Sequence, residues 1–322
     1  MKEKSIKIIE VKSEIGAGTR GSSLGVEAIK IASLDLKSDF FREHTSVEVE
    51  NVNRLLFAGT GYPNAKFIDG VLMMEERTCL EVYEQIYDDN FPLVISGDHS
   101  TAYGTICGIK KADPDKRLGV IWIDAHADMN TPYTSSTGNM HGMALAMACD
   151  IDNFECKANN PSGETAEYWE QMMNVGMPGA KIYPEDIVYL AVRELEKPEN
   201  YLVNKFGMGF ITVEEIREKG AASIAKEALK QLDHCDQIYV SFDIHALDPK
   251  ISAGVGNPIA NGLTLQEAKE LNVELCKEPK LCAWEIAEIN PTLDDQNKTA
   301  ECAFEIIEAT VKSIISRAVL VE

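Results

Sequence analysis

Seven short apolar runs punctuate the chain, at residues 7–11, 91–96, 118–123, 187–192, 208–212, 237–242 and 281–289. Runs of this length with little polar interruption predict strands buried on both faces. Between them, apolar residues recur near every 3.6 positions over 71–87, 101–111, 213–232 and 265–276. A last such segment covers about 299–318, where Ala303, Ile306, Ile307 and Val311 share one face. These segments predict amphipathic helices. Strands alternating with helices predict an α/β fold in which helices cover both faces of a mainly parallel sheet. Two stretches break the rhythm. Residues 156–181, "CKANNPSGETAEYWEQMMNVGMPGAK", read as a surface excursion with one short helix, inside a single domain spanning 1–322. "NTPYTSSTGNMHG", after residue 129, reads as a long irregular loop of the kind that often carries function.

The polar residues that matter fall where the apolar runs end. The run at 91–96 is followed by Gly97-Asp98-His99-Ser100, and that at 118–123 by Asp124-Ala125-His126-Ala127-Asp128. The run at 187–192 leads into Arg193-Glu194-Leu195-Glu196, and that at 237–242 into Asp243-Ile244-His245. The last carries Glu285 and Glu288 near its end. Open parallel sheets bind ligands at the carboxyl ends of their strands, so five strands deliver acids or histidines to one edge. Like charges crowded together need protons or a cation to coexist. Residues two apart in an extended chain face the same way, so Asp124, His126 and Asp128 can converge. Four of the six histidines, His99, His126, His141 and His245, lie in these strand-end loops, whereas His44 and His234 read as structural or surface residues. Oxygen ligands with a few imidazoles and no thiolate suit manganese, with iron, cobalt and zinc as alternatives.

Composition narrows the partners. The formal net charge of -21 disfavours nucleic acid and anionic lipid. No stretch approaches the ~18–20 apolar residues of a membrane helix, and the basic start lacks the apolar core of a signal peptide. The eight cysteines include no C-x-x-C pair. They read as free thiols of a cytoplasmic protein, not as a disulfide frame or a thiolate zinc site.

With "GDHS" (97–100), "IDAHADMNTP" (123–132), "STGNMHG" (136–142) and "SFDIHALDP" (241–249), the chain resembles the ureohydrolases, and arginase most closely. "GNPIANGLT" (256–264) and Glu288-Ile289-Asn290-Pro291 add partial matches, and the order holds from about residue 5 to 320. The loop "DMNTP…TGNMHG" points to arginase over agmatinase or formimidoylglutamase. The resemblance implies a three-layer α/β/α fold and a dinuclear Mn²⁺ site, two ions per chain. There a metal-activated hydroxide would convert L-arginine to L-ornithine and urea. Carried over, His99, Asp124, Asp128 and Asp243 would ligate one metal, and Asp124, His126, Asp243 and His245 the other. Asp124 and Asp243 would bridge. The implied catalytic set is His141 as proton shuttle, Asp128, and Glu288 as counter-charge beneath the guanidinium. Asn130, Thr137 and Asn139 would contact the substrate's α-carboxylate, and Glu194 and Glu196 its α-amino group. A homotrimer or homohexamer is implied as well.

Three positions depart from the family pattern. Thr137 stands where Ser is usual, and Glu196 where Asp is usual. His245 replaces the second carboxylate of an Asp-x-Asp pair. Two divalent ions bring +4; Asp124, Asp128, Asp243 and a hydroxide bring -4. The inner shell then sums to zero, where a carboxylate at 245 would make it -1. A neutral imidazole also offers one nitrogen in place of two oxygens. Both changes predict a second metal position that is weakened or tilted toward metals favouring imidazole. The alternatives that stay open are hydrolysis of another guanidino compound, such as agmatine or guanidinobutyrate, and an arginase-like protein with impaired metal binding. A third is that His245 is an introduced substitution.

Overall fold

The computed structural model describes residues 4–319; the first and last three residues of the expected 1–322 domain lie outside it. Eight strands form one sheet: β1 (Ile6–Val11), β2 (Ser46–Glu48), β3 (Phe91–Ser96), β4 (Leu118–Ile123), β5 (Ile187–Leu190), β6 (Gly209–Ile211), β7 (Gln237–Asp243) and β8 (Leu281–Ala287). Their order across the sheet is β2-β1-β3-β8-β7-β4-β5-β6, and every pairing is parallel. The fold is thus the expected α/β arrangement, with a sheet that is wholly parallel.

The helices are α1 (Gly25–Asp35), α2 (Phe40–Glu43), α3 (Ile68–Tyr87), α4 (Ala102–Ala112), α5 (Ala144–Cys149), α6 (Gly163–Met172), α7 (Lys197–Phe206), α8 (Val213–Lys219), α9 (Ala221–Gln231), α10 (Leu265–Leu275) and α11 (Lys298–Val319). Alternate strand residues feed two cores, as a period of two requires. Ile8, Leu93, Trp284, Val240 and Ile121 pack with α1, α9, α10 and α11. Ile9, Val94, Tyr239, Val120 and Trp122 pack with α3, α4 and α5. Helices on both faces explain why β3 and β4 are buried at every residue.

The differences from the sequence reading have local causes. The expected strands 187–192 and 281–289 stop early because Ala191 and Glu288 turn to φ +68° and +71°, where a strand cannot continue. The expected helix 213–232 is two helices, broken at Gly220 with φ +79° and ψ 155°. The three-residue, partly exposed β2 is too short to leave an apolar signature.

One topological fact positions the site. β3 and β4 are neighbours along the chain but are separated in the sheet by β8 and β7. After β6 the chain reverses across the sheet and fills that gap with β7 and β8, so the neighbours β4 and β7 send their connections in opposite directions, and parallel α/β folds bind ligands at such reversals. β3, β8, β7, β4 and β5 are contiguous, and they are the five strands whose ends carry the acids and histidines.

Candidate metal centre and substrate cavity

Four of the strand-end side chains meet at one point. His99 Nδ1 lies 3.2 Å from Asp124 Oδ2, 3.1 Å from Asp128 Oδ2 and 3.0 Å from Asp243 Oδ2. The His99 ring is held from behind. It stacks on Trp122 with centroids 4.0 Å apart, and its Nε2 is 2.8 Å from Ser241 Oγ. His99 Nδ1 and Asp124 Oδ2 are nevertheless buried without a hydrogen-bond partner. Buried polar atoms are almost always satisfied. Two orphans facing one another among three carboxylates form a cradle that a cation completes, so the residues fit a metal.

The charge balance agrees. Burial alone would lower the His99 pKa, but Asp124, Asp128 and Asp243 hold it well above its ordinary value. Burial and the Asp124 charge push Asp128 up. The cluster draws in positive charge from whatever source is present.

A second grouping adjoins the first. Asp124, His126 and His245 bring ligand-type atoms within 4.8 Å of one another. His126 Nδ1 lies 3.3 Å from Asp124 Oδ1, and the His126 and His245 rings meet edge-on with centroids 5.0 Å apart.

Above these residues opens a cavity of about 430 Å³. Its walls include Asn130, Thr137, Asn139, His141, Glu194 and Glu196, together with His126, Asp128, Asp243 and His245. The structure therefore brings every one of those expected site residues to one place. His99, Asp124 and Glu288 are buried beneath. Glu288 Oε1 accepts the backbone N–H of His99 at 2.9 Å and lies 3.0 Å from His141 Nδ1. Burial opposes charge on both partners. Their mutual attraction wins, pushing His141 up to about 9 and holding Glu288 down to about 2. Asp128 and Glu288 both adopt positive φ, at +49° and +71°, a strained conformation for such residues that active sites often retain. Glu285, by contrast, is no part of the cavity. It accepts hydrogen bonds from Ser96, Thr105 and Tyr239 inside the sheet. His234 pairs with buried Asp186 at 2.7 Å, the structural role expected of it.

Several contributors were not legible in the sequence. Lys66 donates from Nζ to Asn139 Oδ1 at 3.0 Å, and its backbone N–H donates to Gly138 O at 2.7 Å. An ammonium only donates, so it fixes the Asn139 amide with its carbonyl toward the lysine and its NH₂ on the other side. Gly138 sits at φ +73°, where an added Cβ would lie 2.1 Å from Pro63 O, so the loop can close there only on glycine. Gly16 accepts the His141 N–H and donates its own N–H to Asp98, which ties the histidine to the sheet edge. Glu199 reaches back from the first turn of α7, accepting from Glu196 N and Met129 N. The "EKPE" pattern at 196–199, with proline at the start of a helix, could have revealed this capping box. Arg193 donates to His245 O, Ile259 O and Ala260 O, stapling the loop after β7 to the 259–260 segment. Nothing in the spacing of Arg193 announces that role.

The chain's likeness to known proteins agrees with this geometry. A family profile described as "Arginase family" matches residues 4–312. The arginase of Bacillus subtilis is 32% identical over 308 residues, covering 95% of this chain and 97% of the relative. A crystal structure of that arginase superposes with a TM-score of 0.79 at 31% identity, over 96% of this chain and 98% of the other. The structure of Entamoeba histolytica arginase in complex with L-ornithine gives a TM-score of 0.82 at 25% identity, over 97% and 99%.

Proposed function

The chain belongs to the arginase family, and from that premise we propose that it hydrolyses L-arginine to L-ornithine and urea with Mn²⁺ as its metal. The observation that carries the proposal is the union of two features in one cavity. Its floor is a carboxylate cluster of the kind that a cation completes. Its walls carry amides and a hydroxyl (Asn130, Thr137, Asn139) on one loop and acids (Glu194, Glu196) on another. An amino acid with a guanidino tail offers a carboxylate to the first set, an ammonium to the second, and a cationic head to the floor.

His99, Asp124, Asp128 and Asp243 would hold one metal; Asp124, His126 and Asp243, beside His245, would hold a second. A divalent ion bound there supplies water acidified enough to act as a nucleophile near neutral pH. The remaining work falls to side chains. Glu288, buried under the cavity, keeps its negative charge through His141 and the His99 N–H, and so favours a cationic head above it. His141 spends Nδ1 on Glu288, which leaves Nε2 as the nitrogen that can hand a proton to the departing amine. Its pKa, raised to about 9, keeps that proton available at neutral pH.

The deciding experiment is urea release from L-arginine, agmatine and 4-guanidinobutyrate by the Mn²⁺-loaded protein. Strong preference for L-arginine supports the proposal. Equal or faster turnover of the compounds lacking an α-carboxylate or an α-amino group would assign another guanidino substrate. A trimer or hexamer, as the family resemblance implies, is proposed for the assembly, and light scattering on the purified protein measures it. A cytoplasmic location is proposed because all eight cysteines are free. Among the described residues no helix is long and apolar enough to cross a membrane.

A further inference from the structure

Residue 245 stands where the family pattern has a carboxylate, and its neighbours assign its protons. His245 is 2% exposed. Its Nε2 accepts the backbone N–H of Asn257 at 3.1 Å. A peptide N–H can only donate, so Nε2 must present its lone pair, and the neutral ring carries its proton on Nδ1. That nitrogen lies 2.6 Å from Asp243 Oδ1, which also accepts the His245 backbone N–H at 2.6 Å. Neither ring nitrogen keeps a lone pair for a cation.

The other two histidines provide the contrast. A histidine that binds a metal through one nitrogen carries its proton on the other, and needs an acceptor there. His99 has the Ser241 hydroxyl at Nε2, which can accept. His126 has Glu194 Oε2 at 3.3 Å from Nε2. The Asn257 side-chain amide, 3.0 Å from the same nitrogen, can turn over to present its oxygen. His245 alone faces a donor that cannot turn over.

Nor is that donor free to leave. Gly254 donates to Thr299 Oγ1 at 2.9 Å and accepts from Asn290 N at 2.8 Å, which pins the loop before Asn257. After it, Ile259 O accepts from Arg193 Nη2 at 2.7 Å, and the same nitrogen holds His245 O at 2.9 Å. One guanidinium thus ties the donor's loop and the histidine's loop together.

From this we infer that His245 is not a metal ligand but a hydrogen-bond donor that orients Asp243. The chain then has one complete metal position, at His99, Asp124, Asp128 and Asp243, and a second that lacks a ligand. Two metals would bind in sequence and unequally. The inference rests on reading the cluster as a metal centre, and not on the choice of substrate.

The test is a titration of the metal-free full-length protein with Mn²⁺, following free ion by its solution EPR signal and ion pairs by their coupled multiline spectrum. One equivalent is expected to bind tightly and the second about 10–100-fold more weakly, as loss of support at a metal site typically costs. No coupled spectrum is expected at one equivalent. The His245→Asp variant is expected to recover the second equivalent and the coupling. Should that variant fold poorly, long-range ¹H–¹⁵N correlation on the wild-type protein with one equivalent of Zn²⁺ reads the His245 tautomer directly, and Nδ1–H is expected. Two equivalents of equal affinity with a coupled spectrum in the wild type would overturn the inference, as would an Nε2–H tautomer. Absence of Mn²⁺ binding in both proteins would overturn it together with the metal reading, whereas a failure to release urea would touch only the substrate.

Discussion

Lys66 acts on the cavity from outside it, through one of the residues that line its wall. Its ammonium holds the Asn139 carbonyl and so leaves the amide NH₂ to face an anionic group. Replacing Lys66 with Met frees the amide to turn and removes a positive charge. The KM for L-arginine is expected to rise about 10-fold, the loss of one charge-assisted hydrogen bond, while agmatine kinetics stay unchanged and Lys66→Arg restores most of the effect. An equal loss for both substrates would mean that Lys66 acts only on folding. His141 makes a different demand. It lines the cavity and is bound to Glu288, so its loss should remove proton transfer and spare binding. For His141→Asn, kcat should fall about 10²–10⁴-fold with little change in KM; a rise in KM at constant kcat would reassign it to binding.

Two elements owe their placement to contacts that can be broken singly. Glu10, on β1, is 2% exposed and is met by Lys30 of α1 at 2.8 Å and Lys12 at 3.1 Å. Burial works to raise its pKa, but these lysines and Ser46 bring it below the ordinary value of 4.5. A carboxylate whose folded pKa is depressed adds stability above its unfolded value and loses it as pH falls through the folded one. Glu10→Gln should therefore cost about 1–2 kcal/mol at pH 7, between an exposed and a fully buried pair. The gap to wild type should close below about pH 4; urea unfolding across that range measures it, and a gap constant with pH would refute the ionic origin. The pairing of α3 and α4 depends on Gly108, where a Cβ would lie 2.6 Å from Val82 Cβ and 2.7 Å from Cys79 O. Gly108→Val should overpack that crossing and cost about 1–3 kcal/mol, read as a lower urea midpoint with an unchanged slope.

At the scale of the molecule, the metal cradle is a load that the fold carries. Asp124, Asp128 and Asp243 are brought to within 3.0–3.2 Å of one imidazole by strands from the middle of the sheet. Their repulsion opposes folding until a cation joins them. A ligand that binds only the folded state stabilises it by RT ln(1 + [L]/Kd), about 2.7 kcal/mol at 100-fold over Kd. Saturating Mn²⁺ should raise the melting temperature by several degrees over the chelated protein, with Mg²⁺ at equal concentration giving much less because imidazole suits it poorly. An identical melting curve with and without Mn²⁺ would contradict a metal centre built into the sheet edge.

The sequence by itself determined most of the strands and which residues stand at their ends. Buried parallel strands are written as continuous apolar runs, and β3 and β4 match their expected limits residue for residue. Ligands at strand ends are contiguous in sequence with those runs, so the local pattern alone places "GDHS", "DAHAD" and "SFDIH" at one edge of the sheet. What only the tertiary structure decided comes from groups distant in the chain. The pairing of β3 with β8 and of β4 with β7, the Lys66–Asn139 contact and the Arg193 staple join residues separated by 50 or more positions, which no local pattern encodes. His245 draws on both. Its identity and its departure from the family are plain in the sequence. The backbone N–H of Asn257 that assigns its proton reaches the ring only because the chain folds back upon it.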